Sequence, residues 1–308
     1  MEKAELTFLG TGTSQGIPII GCRCPVCRSA DPADKRMRCA ALVRFGGLTV
    51  LVDAGPDFRM QMLREDVSHL DAILLTHNHK DHTGGLDDVR SLNYIDRRRV
   101  EIYCEDLVLD SLRKEYAYAF SERRYPGAPE WRIHRIGDRP FTLRQDTARE
   151  ELVWVHDAGY SLRGADGSLR PCSDDPQIID AVDEPGPGAV RIIPIRGYHD
   201  QMPVLGFRFG NIAYITDMSR LPDAELAKLQ GLDHVTLNTV GYREHHSHFS
   251  LDQALTLADR IGARHTWLTH LSHTFPPYQA FCAELERLCS ERGIRSRVRP
   301  AYDGLVLR

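Results

Sequence analysis

Short apolar runs bounded by glycine, proline or polar turn residues recur along the chain and predict β-strands. Two pairs of these runs are joined by glycine, at Gly46-Gly47 and at Gly210, and each pair predicts a β-hairpin. The predicted strands are Glu5–Leu9, Ala41–Phe45, Leu48–Val52, Ile73–Leu75, Val190–Ile195, Val204–Phe209, Asn211–Ile215, Thr266–Leu268 and Gly304–Leu307.

Helical periodicity appears between several of these strands. Apolar residues recur at helical spacing over Leu107–Ala119 and Leu251–Ile261, and Ser250 is a suitable N-cap for the latter. A further helix is predicted over Pro277–Glu291. Strands that alternate with helices in this way indicate an α/β fold.

The segment from about Ser121 to Gly188 differs from the rest because it is polar and rich in turn residues. We interpret it as an elaborated insertion within a single domain of residues 1–308, with short strands at Phe141–Leu143 and Leu152–Val155. A surface loop region and a lid over the substrate are both consistent with this composition.

Composition excludes several classes of function. The 308 residues are 42% hydrophobic, which is ordinary for a globular protein, and the net charge of −4 does not indicate a chain-wide basic surface for nucleic acid. No apolar run is long enough to cross a bilayer, and the first residues lack the pattern of a signal peptide. We therefore expect a cytoplasmic protein with neither a membrane nor a nucleic acid as its partner.

Histidines and a carboxylate cluster in the sequence His77-Asn-His-Lys-Asp-His82, directly after a buried strand. Imidazole nitrogen together with carboxylate oxygen suits Zn²⁺, Mn²⁺ or Fe²⁺, whereas the simpler alternative is a histidine-rich surface turn. Three more ligand types follow apolar strands, at His199, Asp217 and His270. Seven ligands are enough for two ions.

Three of the eight cysteines lie within six residues, in Cys22-Arg-Cys-Pro-Val-Cys27. In a chain with no export signal, such a cluster is more typical of a metal site than of disulfides. The alternative is three ordinary buried cysteines.

These motifs resemble the metallo-β-lactamase-fold hydrolases, whose motif order matches Leu9-Gly-Thr-Gly-Thr-Ser-Gln-Gly16, the histidine cluster, His199, Thr216-Asp217 and Thr269-His270. The resemblance covers almost the whole chain and implies an αβ/βα four-layer sandwich with a dinuclear site at the sheet edge. It also implies the ligand sets: His77, His79 and His199 for one ion, Asp81, His82 and His270 for the other, and Asp217 bridging both.

A narrower resemblance links the cysteine cluster to the PhnP-like cyclic phosphodiesterases of bacterial phosphonate utilisation. It implies a structural zinc held by Cys22, Cys24, Cys27 and His273, with Cys39 as the rival fourth ligand. The active-site metals implied are two divalent ions, zinc or manganese, with iron as a further option. A homodimer is expected from the family.

Phosphodiesterases of this fold carry a histidine before a helix that acts as general acid, and His248 matches it. The implied reaction is hydrolysis of small phosphodiesters, cyclic ones included, by a metal-bound hydroxide that Asp81 and Asp217 orient. For His245 and His246 two roles stay open: contact with the phosphate of the substrate, or simple exposure to solvent. Three alternatives stay open: a tRNA 3′-processing nuclease, a PqqB-like cofactor-biosynthesis protein, and a binding protein without turnover.

Overall fold

A computed structural model describes residues 3–121, 124–125, 127–144, 150–155, 159–172 and 177–308. Parts of the predicted insertion therefore lie outside the described residues. The predicted strands within it do not: they are observed at Phe141–Arg144 and Glu151–Val155.

In the described part of the chain the strands are β1 Glu5–Gly10, β2 Ala40–Phe45, β3 Leu48–Val52, β4 Ala72–Leu74, β5 Val100–Cys104, β6 Trp131–Arg135, β7 Phe141–Arg144, β8 Glu151–Val155, β9 Gly159–Arg163, β10 Leu169–Pro171, β11 Ile178–Asp180, β12 Ala189–His199, β13 Met202–Phe209, β14 Ile212–Tyr214, β15 His234–Asn238, β16 His265–Thr269, β17 Arg297–Pro300 and β18 Val306–Leu307. The α-helices are α1 Pro25–Arg28, α2 Phe58–Arg64, α3 Lys80–Thr83, α4 Arg90–Asp96, α5 Asp106–Glu115, α6 Leu251–Ile261 and α7 Tyr278–Arg292.

Contacts divide the chain into two units that interleave along the sequence. The first unit comprises Met1–Phe45, Asp138–Pro140 and Arg191–Arg308, and the second comprises Gly46–Gly137 and Phe141–Val190.

The second unit contains a parallel sheet with the strand order β11-β6-β5-β4-β3. Two of its strands, β3 and β4, are mostly buried apolar runs; all three residues of β4, for example, are shielded from solvent. Such runs are typical of parallel strands that are covered on both faces. Because the strands are parallel, residues after β3 and β4 emerge at the same edge of this sheet. A separate antiparallel sheet in this unit has the order β10-β9-β8.

The first unit contains the strand order β17-β16-β15-β14-β13-β12, in which β14 to β17 are parallel and β12 to β14 are antiparallel. The antiparallel strands β2, β1 and β18 also belong to this unit. The carboxyl ends of β14, β15 and β16 therefore share one edge, which is where α/β folds present functional side chains.

Helix α6 shows how the sequence specifies its local structure. Ser250 Oγ accepts from Gln253 N–H while Gln253 Oε1 accepts from Ser250 N–H, and the helix ends at Gly262 with φ of +67°. Its apolar residues lie on one face, which packs on β15 and β16 through a core that includes Leu255, Ala258 and Leu268.

Observed and predicted elements differ mainly at their ends. Strand β12 extends to His199, so this residue ends the strand rather than following it. The helix predicted over Leu107–Ala119 is observed as α5, followed by a 3₁₀ turn at Ala117–Ala119. The Gly210 hairpin is confirmed by the pairing of β13 with β14. Among the described helices, none has both the length and the apolar character that crossing a membrane requires.

Candidate metal centre

The histidine cluster of the second unit lies just beyond β4. The chain leaves this strand at Leu75, and His79 occupies the N-cap position of the single-turn helix α3. The ring centroid of His77 lies 4.7 Å from that of His79 and 4.2 Å from that of His82, and His82 Nε2 lies 3.3 Å from Asp81 Oδ2. The four predicted ligands of this unit are thus neighbours.

Asp53 is the central residue behind this cluster. It is fully buried directly after β3, and its Oδ2 lies 2.7 Å from His82 Nδ1. The hydroxyl of Thr76 bonds the same carboxylate and lies 2.9 Å from His77 Nδ1. Burial raises the pKa of Asp53, and His82 opposes that shift. A carboxylate in this position fixes the orientation of a metal-binding histidine.

Sequence reasoning missed Asp53, although a signal was present. The residue directly follows the apolar strand Leu48–Val52, which is the same relation that drew attention to Asp217. It went unnoticed because its partner His82 is 29 residues away in the chain.

Close backbone packing holds the cluster in place. Ala54 N–H donates to the carbonyl of His82 at 2.8 Å. A Cβ atom added at Gly55 would lie 1.9 Å from the carbonyl oxygen of Asp81, and one added at Gly85 would lie 2.1 Å from that of Gly55. These glycines are therefore needed for close approach of two backbone segments.

In the first unit, Asp217 and His270 form a buried pair. Asp217 Oδ1 lies 2.9 Å from His270 Nδ1, and both residues follow parallel strands with positive φ, +56° and +57°. Positive φ is uncommon for such residues and clusters at functional sites. Burial lowers the pKa of His270, but the Asp217 carboxylate and the Cys39 thiol more than offset this and raise it to about 10.

His199 and His248 complete the arrangement in this unit. His199 Nδ1 lies 3.0 Å from the carbonyl oxygen of Asp217. The ring of His248 lies between two others, 4.6 Å from His199 and 4.5 Å from His270. One potential ligand atom from each of His199, Asp217 and His248 lies within 4.8 Å of the other two. Burial, reinforced by His270, lowers the pKa of His248 to about 2.

The hydrogen bonds suit cation binding. The Nδ1 atoms of His77, His82 and His199 face oxygen atoms, so each imidazole carries its proton on Nδ1 and presents the lone pair of Nε2. Within each unit, imidazole nitrogens in this tautomer beside carboxylates are chemically suited to a divalent cation.

The cysteine cluster, wholly within the first unit, is a second candidate centre. His273 Nδ1 lies 3.2 Å from Cys22 Sγ, 3.5 Å from Cys24 Sγ and 3.7 Å from Cys27 Sγ. Four ligand atoms this close match a tetrahedral Cys₃His set. The N–H of Cys27 holds the pKa of Cys24 near 6, while burial raises that of Cys27 to about 11.

Cys39 lies elsewhere. Its thiol approaches the carbonyl of Gly12 at 3.2 Å and Thr269 Oγ1 at 3.4 Å. The geometry therefore favours His273 over Cys39 as the fourth member of the cysteine cluster.

Comparison with known proteins gives a family match and several relatives. Residues 49–165 and 177–271 match the family described as "Beta-lactamase superfamily domain". An octanoyltransferase of Porphyromonas gingivalis is 34% identical over 302 residues, which cover 94% of this chain; the chain spans 52% of that protein, about half its length. A ribonuclease Z of Kineococcus radiotolerans is 27% identical over 310 residues, covering 88% of this chain and 90% of that protein.

A solved structure extends the likeness over both whole chains. It is described as a new diphosphatase from the PhnP family. The alignment covers 99% of this chain and 98% of the diphosphatase chain. The TM-score is 0.73 and the sequences are 31% identical.

Proposed function

Because the chain belongs to the beta-lactamase superfamily domain family, we propose that it is a metal-dependent hydrolase and that it hydrolyses small phosphodiesters, cyclic ones included. The observation that carries this proposal is the position of His248, whose ring lies beside those of two metal-ligand candidates, His199 and His270. Hydrolysis of a phosphodiester expels an alkoxide, which needs a proton donor at that place.

The proposed ligands follow the family pattern. In the second unit they are His77, His79, Asp81 and His82, and in the first they are His199, Asp217 and His270. The fit rests on the donor chemistry of each unit by itself: imidazoles that present Nε2, and carboxylates beside them. When bound, two divalent cations supply a hydroxide near neutral pH and neutralise charge that develops on the phosphoryl oxygen.

The chain's own residues then have distinct roles. Asp53 and Thr76 hold His82 and His77 in the tautomer that binds a cation. Asp81 orients the attacking water. His248 donates the proton to the leaving oxygen.

A diphosphate substrate is the second candidate. It is favoured by the PhnP-family diphosphatase, which is 31% identical over nearly the full length of both chains. The acyl-transfer activity in the name of the octanoyltransferase is not carried over, because about half of that protein lies outside the match.

Metal content and turnover test the proposal together. Elemental analysis should find close to three metal ions per chain, and hydrolysis of bis(p-nitrophenyl) phosphate should depend on added Mn²⁺ or Zn²⁺. A His77→Ala/His79→Ala variant is the control and should lose both turnover and active-site metal while keeping the ion at the cysteine cluster. One tightly held metal with no turnover would overturn the proposal and favour a binding or cofactor-pathway protein.

A parallel assay with a precursor tRNA that carries a 3′ trailer distinguishes the nuclease alternative from the proposed function. If that RNA were cleaved far faster than any small diester, the proposed substrate class would be wrong.

A further inference from the structure

The segment between β15 and α6 forms a closed loop that carries His248. Its ends are joined by backbone hydrogen bonds, from Val240 N–H to the carbonyl of Phe249 at 3.3 Å and from Leu251 N–H to that of Gly241 at 2.8 Å. The position of the loop is therefore set by the first unit before any substrate binds.

Side chains anchor the same loop on α7. The hydroxyl of Tyr242 donates to Glu284 Oε2 at 2.8 Å, and the Tyr242 ring packs edge-on against Phe275 with centroids 5.2 Å apart. A donor on a loop held in this way loses little conformational entropy when it binds a ligand.

Two exposed histidines lie at the solvent side of this loop. The ring of His245 stacks on that of His246 at 4.5 Å and lies 5.3 Å from that of His248. The imidazoles thus form a series that leads from the buried ligand candidates, through His248, to solvent.

The hydrogen bonds of His245 decide what it offers a ligand. Ser247 N–H donates to His245 Nδ1 at 3.3 Å, so the proton of the neutral ring is on Nε2, which acts as a donor. Burial and the neighbouring His246 lower the pKa of His245, and donation from the neutral ring does not require protonation. Exposed Arg243 adds a positive charge, next to the opposite charge of Glu244.

We propose that His245 and His246, assisted by Arg243, bind the second phosphate of a diphosphate substrate, the phosphate that is not attacked. This inference rests on the proposed hydrolysis and deepens its second candidate, the diphosphate substrate, by assigning residues that recognise it. Hydrogen bonds from imidazole N–H groups to phosphate oxygen are charge-assisted and strong. Hydrolysis of the anhydride forms one P–O bond from water and breaks the bridging P–O bond, so water is the only co-reactant.

Two substrates with the same aryl groups test this subsite in the metal-loaded protein. We would compare kcat/KM for P¹,P²-bis(p-nitrophenyl) diphosphate with that for bis(p-nitrophenyl) phosphate, which has no second phosphate. The ratio of the two should fall at least about tenfold in His245→Ala/His246→Ala, mainly through KM. The matched control is His265→Ala, at the start of β16, where the ratio should not change.

An unchanged ratio in the double variant, with the wild type active on both substrates, would overturn the subsite and leave the proposed function standing. Failure of the metal-loaded wild type to cleave either substrate would overturn the proposed function and the subsite with it. Binding of methylenediphosphonate gives a readout independent of turnover, and the double variant should bind it at least about tenfold more weakly than wild type.

Discussion

The two nitrogens of each imidazole determine what the individual site residues can do. His77, His82 and His199 use Nδ1 within the protein, through Thr76, Asp53 and the backbone of Asp217. Their Nε2 atoms are thereby oriented for a cation without further rearrangement. His248 differs from these residues. Its ring packs between those of two ligand candidates, His199 and His270.

This difference predicts the behaviour of His248→Ala. Hydrolysis of an alkyl phosphodiester should slow by about 10²–10⁴-fold, because the departing alkoxide loses its proton donor. A p-nitrophenyl diester should be affected far less, since its phenolate leaves without protonation. Steady-state kinetics with both esters, together with metal analysis, checks this. Equal slowing of both esters, or loss of metal, would instead identify His248 as a ligand or positioning residue.

At the scale of elements, the segment after β16 serves both candidate centres. His270 directly follows the strand and belongs to the buried pair with Asp217, and His273, three residues later, meets the three cysteines around α1. Leu271 N–H donates to the carbonyl of Thr11, which ties the same segment to the loop after β1. An ion at the cysteine cluster would therefore stiffen the backbone that positions His270.

Replacement of Cys24 tests that connection. Cys24→Ser should lose one of three metal ions per chain and lower Tm by about 5–10 °C, because a structural ion contributes directly to folding. Cys289→Ser is the control: it removes a thiol that α7 carries outside the cluster, so the metal content should stay at three. Unchanged metal in Cys24→Ser would exclude the cysteine cluster as a zinc site.

On the scale of the whole molecule, the free energy of unfolding includes a contribution from ion pairs outside the candidate site, those of His69. In the second unit, His69 lies between two carboxylates, with Nε2 3.1 Å from Asp71 Oδ1 and Nδ1 2.6 Å from Asp96 Oδ2. The hydrogen bond to Asp71, reinforced by Asp96 and opposed by burial, raises the pKa of His69 to about 9. His69 thereby links Asp71, the residue before β4, to Asp96, the last residue of α4.

The raised pKa of His69 predicts how the free energy of unfolding varies with pH. Because the folded-state pKa exceeds the ordinary value of about 6.5, the stabilisation is fully present below pH 6.5 and is lost as the pH rises through about 9. We expect about 1 kcal/mol, since His69 is partly exposed and water screens the pair. Urea titrations at pH 6.5 and 9.5 should show this loss in wild type and in His265→Ala, but not in His69→Gln. A loss of the same size in His69→Gln would refute the assignment.

The fold class expected from the resemblance, the metallo-β-lactamase αβ/βα sandwich, is confirmed by the family match and by the diphosphatase structure. Membership in a PhnP-like group is confirmed at the level of the family, whereas metal-dependent hydrolysis by this chain is a proposal. The expected homodimer stays a prediction, which light scattering in solution would check.

The features that the sequence determined by itself are those formed by residues close together in the chain. Candidate ligands placed within six residues, or directly after an apolar run, are recognised by spacing alone, as for His77 to His82 and for Asp217 and His270. The cap of α6 is equally local, since Ser250 and Gln253 are neighbours on one helical turn. Strands such as β5 and β15 were missed because charged or polar residues interrupt their apolar patterns.

Only the tertiary structure decided the contacts between distant positions. It paired Asp53 with His82, placed His273 rather than Cys39 beside the three cysteines, and brought His248 between His199 and His270. His273 and Cys24 are separated by 249 positions in the chain. The physical reason is that such contacts depend on how strands pair and helices pack, and those are properties of the folded chain rather than of any short segment.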